Sequence, residues 1–243
     1  MTRLPSLRRP PLTFAHRGAR AHAPENTLEA FRLGLRLGAG ALESDVWLTA
    51  DGVAVLDHDG VVGSTLRRRA ISSLPRAGLP SHIPTLAELY ADCGTDFDLS
   101  LDVKDPLAEG AVVDVASQAG DQTVSRLWLC HDDLDLLRSW RTQAPDVRLV
   151  DSTRLKRMGH GPEREAASLS AAGIDAVNLH HTDWTGGLTT LFHRFGVLCL
   201  AWDAQHERVL EELFDMGIDG VYSDHVDRMM AALDHAHPAG RPE

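Results

Sequence analysis

Polar and aliphatic side chains alternate strictly along Asp98-Leu99-Ser100-Leu101-Asp102-Val103-Lys104. In an extended strand successive side chains point to opposite faces. Leu99, Leu101 and Val103 therefore share one face, and Asp98, Ser100, Asp102 and Lys104 share the other. A second stretch repeats the pattern: Leu42, Ser44 and Val46 alternate with Glu43, Asp45 and Trp47. Carboxylates gathered from two strands repel one another and lose hydration unless they are compensated. A salt bridge of Lys104 with Asp102 would compensate one pair and leave Glu43 and Asp45 unexplained. A divalent cation would compensate all three of Glu43, Asp45 and Asp102, and hard oxygen ligands select Mg²⁺ or Ca²⁺.

Histidine adds proton chemistry to this cluster. Of thirteen histidines, His16, in His16-Arg17-Gly18, closes the first apolar run. His58, in His58-Asp59, follows a short run at 53–56. An imidazole titrates near neutrality, so two of them beside a metal can act as general acid and base. Arg17 is placed to grip a phosphate with its two-pronged guanidinium. His131, His180 and His181 end later apolar runs and are weaker candidates.

These residues need a frame. Apolar runs of strand length alternate with stretches of helical period eight times. The expected strands cover 12–18, 41–49, 97–104, 124–130, 147–151, 176–180, 197–202 and 220–223. The expected helices cover 26–37, 85–92, 107–118, 133–142, 163–172, 188–195, 207–216 and 226–235. Gly120, Gly173, Gly196 and Gly217 follow helices and suit left-handed caps. Strands rich in Val, Leu and Ile fit a parallel sheet buried on both faces. Eight βα units with nothing left over predict an α/β fold, a closed (β/α)₈ TIM barrel forming a single domain over 1–243, with its core at about 12–237. Catalytic residues of such barrels sit at the C-terminal ends of the strands, where His16, Asp45 and Asp102 fall. The pattern breaks only between 52 and 84. An Asp51-Gly52 turn leads to an extra strand at 53–56, and the segment of about 60–82, with three consecutive arginines, reads as a surface insertion loop. The tail from Pro238 is expected to fray.

Composition excludes several classes. The 243 residues are 43% hydrophobic and 24% charged, a globular mix, with a net charge of −11. The acidic balance makes the chain a poor partner for a nucleic-acid backbone, which binds clustered Lys and Arg. Only Lys104 and Lys156 are lysines. Three scattered cysteines form no CxxC pair and fit a reducing compartment. The first residues carry no apolar run after their arginines, and the longest apolar stretch, 195–202, is far short of the ~20 residues that span a bilayer. The expectation is a cytoplasmic protein with no transmembrane segment. Dinucleotide, P-loop, HExxH and GxSxG signatures are absent from the sequence.

Six short motifs, in order within the first 60 residues, resemble the glycerophosphodiester phosphodiesterase family. They are Ala15-His16-Arg17-Gly18, Pro24-Glu25-Asn26-Thr27, Ala30-Phe31, Glu43-Ser44-Asp45-Val46, Thr49 with Asp51-Gly52, and His58-Asp59. Ile83-Pro84-Thr85-Leu86 and the run from Gly217 to Asp224 continue the likeness. The resemblance implies a metal-dependent phosphodiesterase that cleaves glycerophosphodiesters, small molecules such as glycerophosphocholine, to glycerol 3-phosphate and an alcohol. It implies one divalent cation on Glu43, Asp45 and Asp102, with His16 and His58 as acid and base. Lys104 and Arg17 would hold the phosphate, and Trp202 would wall the leaving-group pocket. Glu25 and Asn26 would brace the loop after the first strand, with helix N-capping as the plainer role for Asn26. The chain departs from the family pattern in three places. The family's Glu-x-Lys reads Asp102-Val103-Lys104, one methylene shorter. Its Trp-Thr-Val-Asn reads Trp202-Asp203-Ala204-Gln205. Its longer insertion before Ile83 is reduced to Gly60–His82. A lysophospholipase-D-like enzyme of broader specificity and a non-catalytic phosphoryl-binding barrel are the rival readings.

Overall fold

A computed structural model of the chain describes residues 3–64 and 67–237. The tail from Pro238 lies outside them. The barrel strands are β1 (Leu12–Ala15), β2 (Ala41–Leu48), β6 (Asp98–Val103), β7 (Leu127–His131), β8 (Arg148–Ser152), β9 (Ala176–His180), β10 (Leu198–Trp202) and β11 (Gly220–Ser223). Each is paired in parallel with its neighbours, in the order β1-β11-β10-β9-β8-β7-β6-β2, and β2 pairs back onto β1. The closed (β/α)₈ barrel and its single domain are thereby established. The helices are α1 (Leu28–Arg36), α2 (Leu86–Cys93), α3 (Ala108–Ala119), α4 (Leu134–Gln143), α5 (Pro162–Ala171), α6 (Gly186–Arg194), α7 (Glu207–Asp215) and α8 (Val226–Ala236). No helix of the described residues is long and apolar enough to cross a membrane.

The two faces of each strand serve two cores. Leu99, Leu101 and Val103 of β6 pack outward into the large helix-facing core, beside Leu42 and Val46 of β2. A smaller core fills the barrel interior with Leu12, Phe14, Trp128, Val150, Leu200 and Tyr222 among others. Phe14 stacks on Tyr222 with ring centroids 4.4 Å apart. Above this aromatic plug the interior turns polar: the Ser100 hydroxyl lies 3.1 Å from the Tyr222 hydroxyl and 3.3 Å from Cys130 Sγ.

The Asp51-Gly52 turn leads into β3 (Ala54–Leu56), which runs antiparallel to β2. The expected surface loop beyond it is better built than its arginines and prolines suggested. It contains a small hairpin of β4 (Val61–Val62) and β5 (Arg69–Ala70) and two 3₁₀ turns, Ile71–Ser73 and Arg76–Gly78. Ile71, Leu74, Leu79 and Ile83 bury with Val55 in a separate small core. Gly60 takes φ +67 there, and any Cβ would fall 2.3 Å from the Trp47 ring. Two local expectations also shift. Residues 124–126 form a 3₁₀ turn, so the fourth barrel strand begins only at Leu127. Gly120 is extended at φ 169, whereas Gly173, Gly196 and Gly217 take the left-handed conformation.

Candidate active site

Strand register does most of the positioning. Glu43 is the Cα partner of Ser100, and Asp45 of Asp102, so the carboxylates stand side by side on the interior face. His16 follows β1, with its backbone N–H donating to the Ser223 carbonyl at 3.0 Å. His58 lies two residues beyond β3, on the loop that the small core supports. His16, Arg17, Glu43, Asp45, His58, Asp102, Lys104 and Trp202 all line one cavity of about 510 Å³ at the C-terminal mouth of the barrel, within the usual size range of ligand sites.

Charge is arranged in two linked groups. Lys104 Nζ sits 2.5 Å from Asp102 Oδ2 and 3.2 Å from Asp45 Oδ1. Burial opposes its positive charge, but those two carboxylates prevail and raise the Lys104 pKa. Arg17 sits at φ +50, a conformation that costs a non-glycine residue about 1–3 kcal/mol. That bend aims its backbone N–H at Glu43 Oε2, 2.8 Å away. Its Nη1 donates to both Glu25 oxygens at 3.1 and 3.2 Å. Its Nε faces Asp45 Oδ2 at 3.5 Å, yet neither atom has a hydrogen-bond partner. Glu25 thus braces the loop, as expected. Asn26 does not cap α1: Thr27 does, accepting from the Ala30 N–H. Asn26 is instead buried at φ +54 and its Oδ1 accepts from the Ser44 hydroxyl at 2.7 Å, fastening the loop to β2.

Burial weighs against the charge of two of the carboxylates. Burial foremost, then Asp45, pushes the Glu43 pKa up to about 7 against the pull of His16. Burial also raises the Asp102 pKa despite Lys104. His16 lies 3.8 Å from Glu43 through Nε2 and 2.6 Å from Asp224 Oδ1 through Nδ1. Burial lowers its pKa, but Glu43 and Asp224 outweigh it and the net direction is up. His58 is more open, its side chain 41% exposed, and its Nδ1 lies 2.9 Å from Asp59 Oδ1. A buried Asp45 oxygen without a hydrogen-bond partner, beside a Glu43 carboxyl whose burial disfavours its charge, suits a divalent ion held by Glu43, Asp45 and Asp102.

Four residues escaped sequence reasoning. Asp224 orients His16, and Arg20 lies 3.5 Å from Asp224 and 2.6 Å from Glu25. Arg154 stacks over the Trp202 ring at 5.7 Å, held by Asp183 at 2.6 and 3.2 Å. Asn178 lines the cavity with an unpartnered Oδ1. For Asp224 a signal existed: it ends the strand adjacent to β1, level with His16.

The model of the glycerophosphoryl diester phosphodiesterase family matches residues 16–228. The glycerophosphodiester phosphodiesterase of Caldanaerobacter subterraneus subsp. tengcongensis is 25% identical over 238 residues, covering 88% of this chain and 93% of the relative. A phosphodiesterase of Oleispira antarctica, solved with the product sn-glycerol-3-phosphate, superimposes with a TM-score of 0.80 at 24% identity, over 92% of this chain and 97% of that one. The glycerophosphodiester phosphodiesterase of Thermotoga maritima gives 0.78 at 22% identity, over 90% and 97%.

Proposed function

Because the chain belongs to the glycerophosphoryl diester phosphodiesterase family, a family of phosphoric diester hydrolases, we propose that it hydrolyses glycerophosphodiesters to glycerol 3-phosphate and an alcohol with the help of one divalent cation, Mg²⁺ or Ca²⁺. The observation that carries this reading is the one cavity that brings Glu43, Asp45 and Asp102 together with Lys104, Arg17, His16 and His58. The product bound by the Oleispira antarctica protein supports the glycerol 3-phosphate half of the reaction.

A cation held by Glu43, Asp45 and Asp102 would polarise the phosphate oxygens as a Lewis acid. Lys104 and the Arg17 guanidinium stand beside those carboxylates and would neutralise charge that develops on phosphorus-bound oxygen. Asp224 holds His16 Nδ1, so Nε2 is left to exchange a proton in the cavity. His58, on the more open side, is the second proton carrier. One imidazole removes a proton from the attacking oxygen, of water or of a neighbouring substrate hydroxyl. A new P–O bond forms as the P–O bond to the alcohol breaks, and the other imidazole protonates the departing alkoxide; where a substrate hydroxyl attacks, water then opens the cyclic phosphate. Asn178 Oδ1 is free to accept a hydrogen bond from a substrate hydroxyl.

The test is product analysis on a panel of glycerophosphodiesters, with and without chelator. Release of glycerol 3-phosphate, lost in excess EDTA and restored by Mg²⁺ or Ca²⁺, is expected. Undiminished turnover in excess chelator would remove the metal from the reading. Phosphorus appearing only on the other alcohol would overturn the products.

A further inference from the structure

A second group of side chains able to ligate a metal lies beside the cavity, which one of them, Asp203, lines, and takes no part in the reaction above. His180, His181 and Asp203 bring their ligand atoms within 4.8 Å of one another. His180 Nε2 lies 3.2 Å from Asp203 Oδ2, close to the spacing of two ligands sharing one tetrahedral ion with bonds of about 2.0–2.1 Å. Each of these two ligands is also steadied through its other atom. His180 Nδ1 is 2.7 Å from the Thr182 hydroxyl, and Asp203 Oδ1 accepts from Gln205 Nε2 at 3.2 Å. His180 Nδ1 also accepts from the Thr182 N–H at 3.3 Å, so the ring is held in place and the Nε2 proton, now donated to Asp203, leaves when an ion binds. The His180 ring packs edge-on against Trp202 at 4.6 Å. Asp203 holds φ +61, one of three non-glycine residues among the described ones with positive φ. The other two, Arg17 and Asn26, belong to the catalytic loop, so local strain is confined to the barrel mouth.

We infer that His180, His181 and Asp203 form a second cation site on the cavity rim, selective for zinc-class divalent ions over Mg²⁺ and Ca²⁺. Two imidazoles and one carboxylate are borderline ligands, unlike the all-oxygen set of Glu43, Asp45 and Asp102. Three protein ligands leave a coordination position for water or for an oxygen of whatever occupies the cavity, which Asp203 lines. The neighbouring Arg154 does not bar the ion, since its charge is already matched by Asp183 at 2.6 Å. The equally compact group of His193, Cys199 and Asp219 differs on this point. Asp219 already accepts from Ser6, Leu7, Arg8, His193 and Cys199, so it has no oxygen to offer.

This assignment does not depend on the phosphodiesterase reading, and its test does not read turnover. Untagged protein saturated with Mg²⁺ is dialysed to equilibrium against Co²⁺, a spectroscopic stand-in for Zn²⁺. Bound Co²⁺ is counted and its visible absorption recorded. One Co²⁺ per chain is expected beyond the Mg²⁺-filled carboxylate site, with absorption of a nitrogen-ligated ion that Zn²⁺ abolishes. His181→Ala and Asp203→Asn should each weaken Co²⁺ binding by about tenfold or more, with circular dichroism unchanged. Absence of bound Co²⁺ above the Mg²⁺-saturated level would overturn the site. So would equal binding by both folded variants, or full competition by Mg²⁺, which would place the ion on the carboxylates.

Discussion

His16 shows how a single residue acquires a role from its neighbours. The Asp224 carboxylate 2.6 Å from Nδ1 fixes the ring, and Glu43 lies 3.8 Å from the other nitrogen. His16→Ala should lower the rate constant by about 10²–10⁴-fold, the usual worth of acid–base catalysis. Asp224→Asn should lower it by about tenfold or more without changing KM, because the ring loses its fixed tautomer and not its contact with substrate. A drop in Tm with an unchanged rate per folded molecule would make Asp224 a structural residue only. Asp102 invites the opposite kind of substitution. Asp102→Glu lengthens the side chain by one methylene toward the family's usual residue and should change the order of Mg²⁺, Ca²⁺ and Mn²⁺ activation while activity survives. An unaltered metal profile would show that Asp102 does not touch the ion. The carboxylates and Lys104 stood out as polar types on a face that a barrel interior normally fills with aliphatics, His16 and His58 as histidines ending short apolar runs, and Trp202 only through the family resemblance. The structure brings all eight candidates to one cavity. Arg154 was not legible, because it acts through a contact with a residue far away in the chain, and Asp224 was passed over although its position level with His16 offered a signal.

Single elements were legible where one pattern governs them. β9 and β11 begin and end where the sequence predicted, since both-face burial leaves no ambiguity in a short apolar run. The segment after β3 was not legible. Its four buried aliphatics are spread among arginines and prolines, and they find one another only through Val55. β8 carries a cost that composition hides. Asp151 is 4% exposed, and burial, followed by Glu165 and Asp132, pushes its pKa up to about 7. A carboxyl whose folded pKa exceeds its unfolded one stabilises while protonated, so its contribution is present below about pH 4 and is lost as pH rises through about 7. Asp151→Asn cannot ionise and should raise Tm at pH 8 by at least about 2–4 °C, the equivalent of about 1 kcal/mol in a chain of this size. Near pH 4 the gain should vanish. A pH-independent difference in calorimetric Tm would point to packing and not to ionisation. The end of β8 leads to Arg154, whose guanidinium already occupies the face of Trp202. A quaternary ammonium group would compete for that face. Arg154→Ala should therefore improve kcat/KM for a choline diester relative to an inositol diester by about two- to fivefold, the worth of about 0.5–1 kcal/mol of cation–π attraction. An unchanged ratio would remove Trp202 from headgroup selection.

At the scale of the whole molecule the two ends of the barrel are held by opposite means. The C-terminal mouth gathers the carboxylates, bends Arg17, Asn26 and Asp203 into positive φ, and leaves polar atoms without partners. At the other end a buried carboxylate, Asp219, is fully hydrogen-bonded. Residues 6–8 run across it, from Asp219 just before β11 to Asp98 at the start of β6, where Arg8 Nη2 lies 3.4 Å from the carboxylate. Asp219 is completely buried and accepts from the Ser6 hydroxyl at 2.7 Å, the Leu7 N–H at 2.6 Å, the Arg8 N–H at 3.1 Å, His193 Nε2 at 2.7 Å and the Cys199 N–H at 2.7 Å. Burial alone would raise its pKa, but His193 and these backbone donors overcome it and hold it below the ordinary carboxylate range. Its contribution is therefore present above the unfolded value and is lost as pH falls through the lower folded one. Asp219→Ala strands a buried imidazole and several N–H donors, a class of change that costs about 3–5 kcal/mol. At about 2–4 °C per kcal/mol, Tm should fall by roughly 6–20 °C at pH 7, and by less as the pH is lowered into the acid range. Turnover per folded molecule at 25 °C should stay near that of the wild type, because the barrel's aromatic plug separates this end from the cavity. If Asp219→Ala lowered kcat in proportion to stability while remaining folded, the two ends would be mechanically coupled, and the division of the barrel into a stabilising floor and a strained mouth would fail.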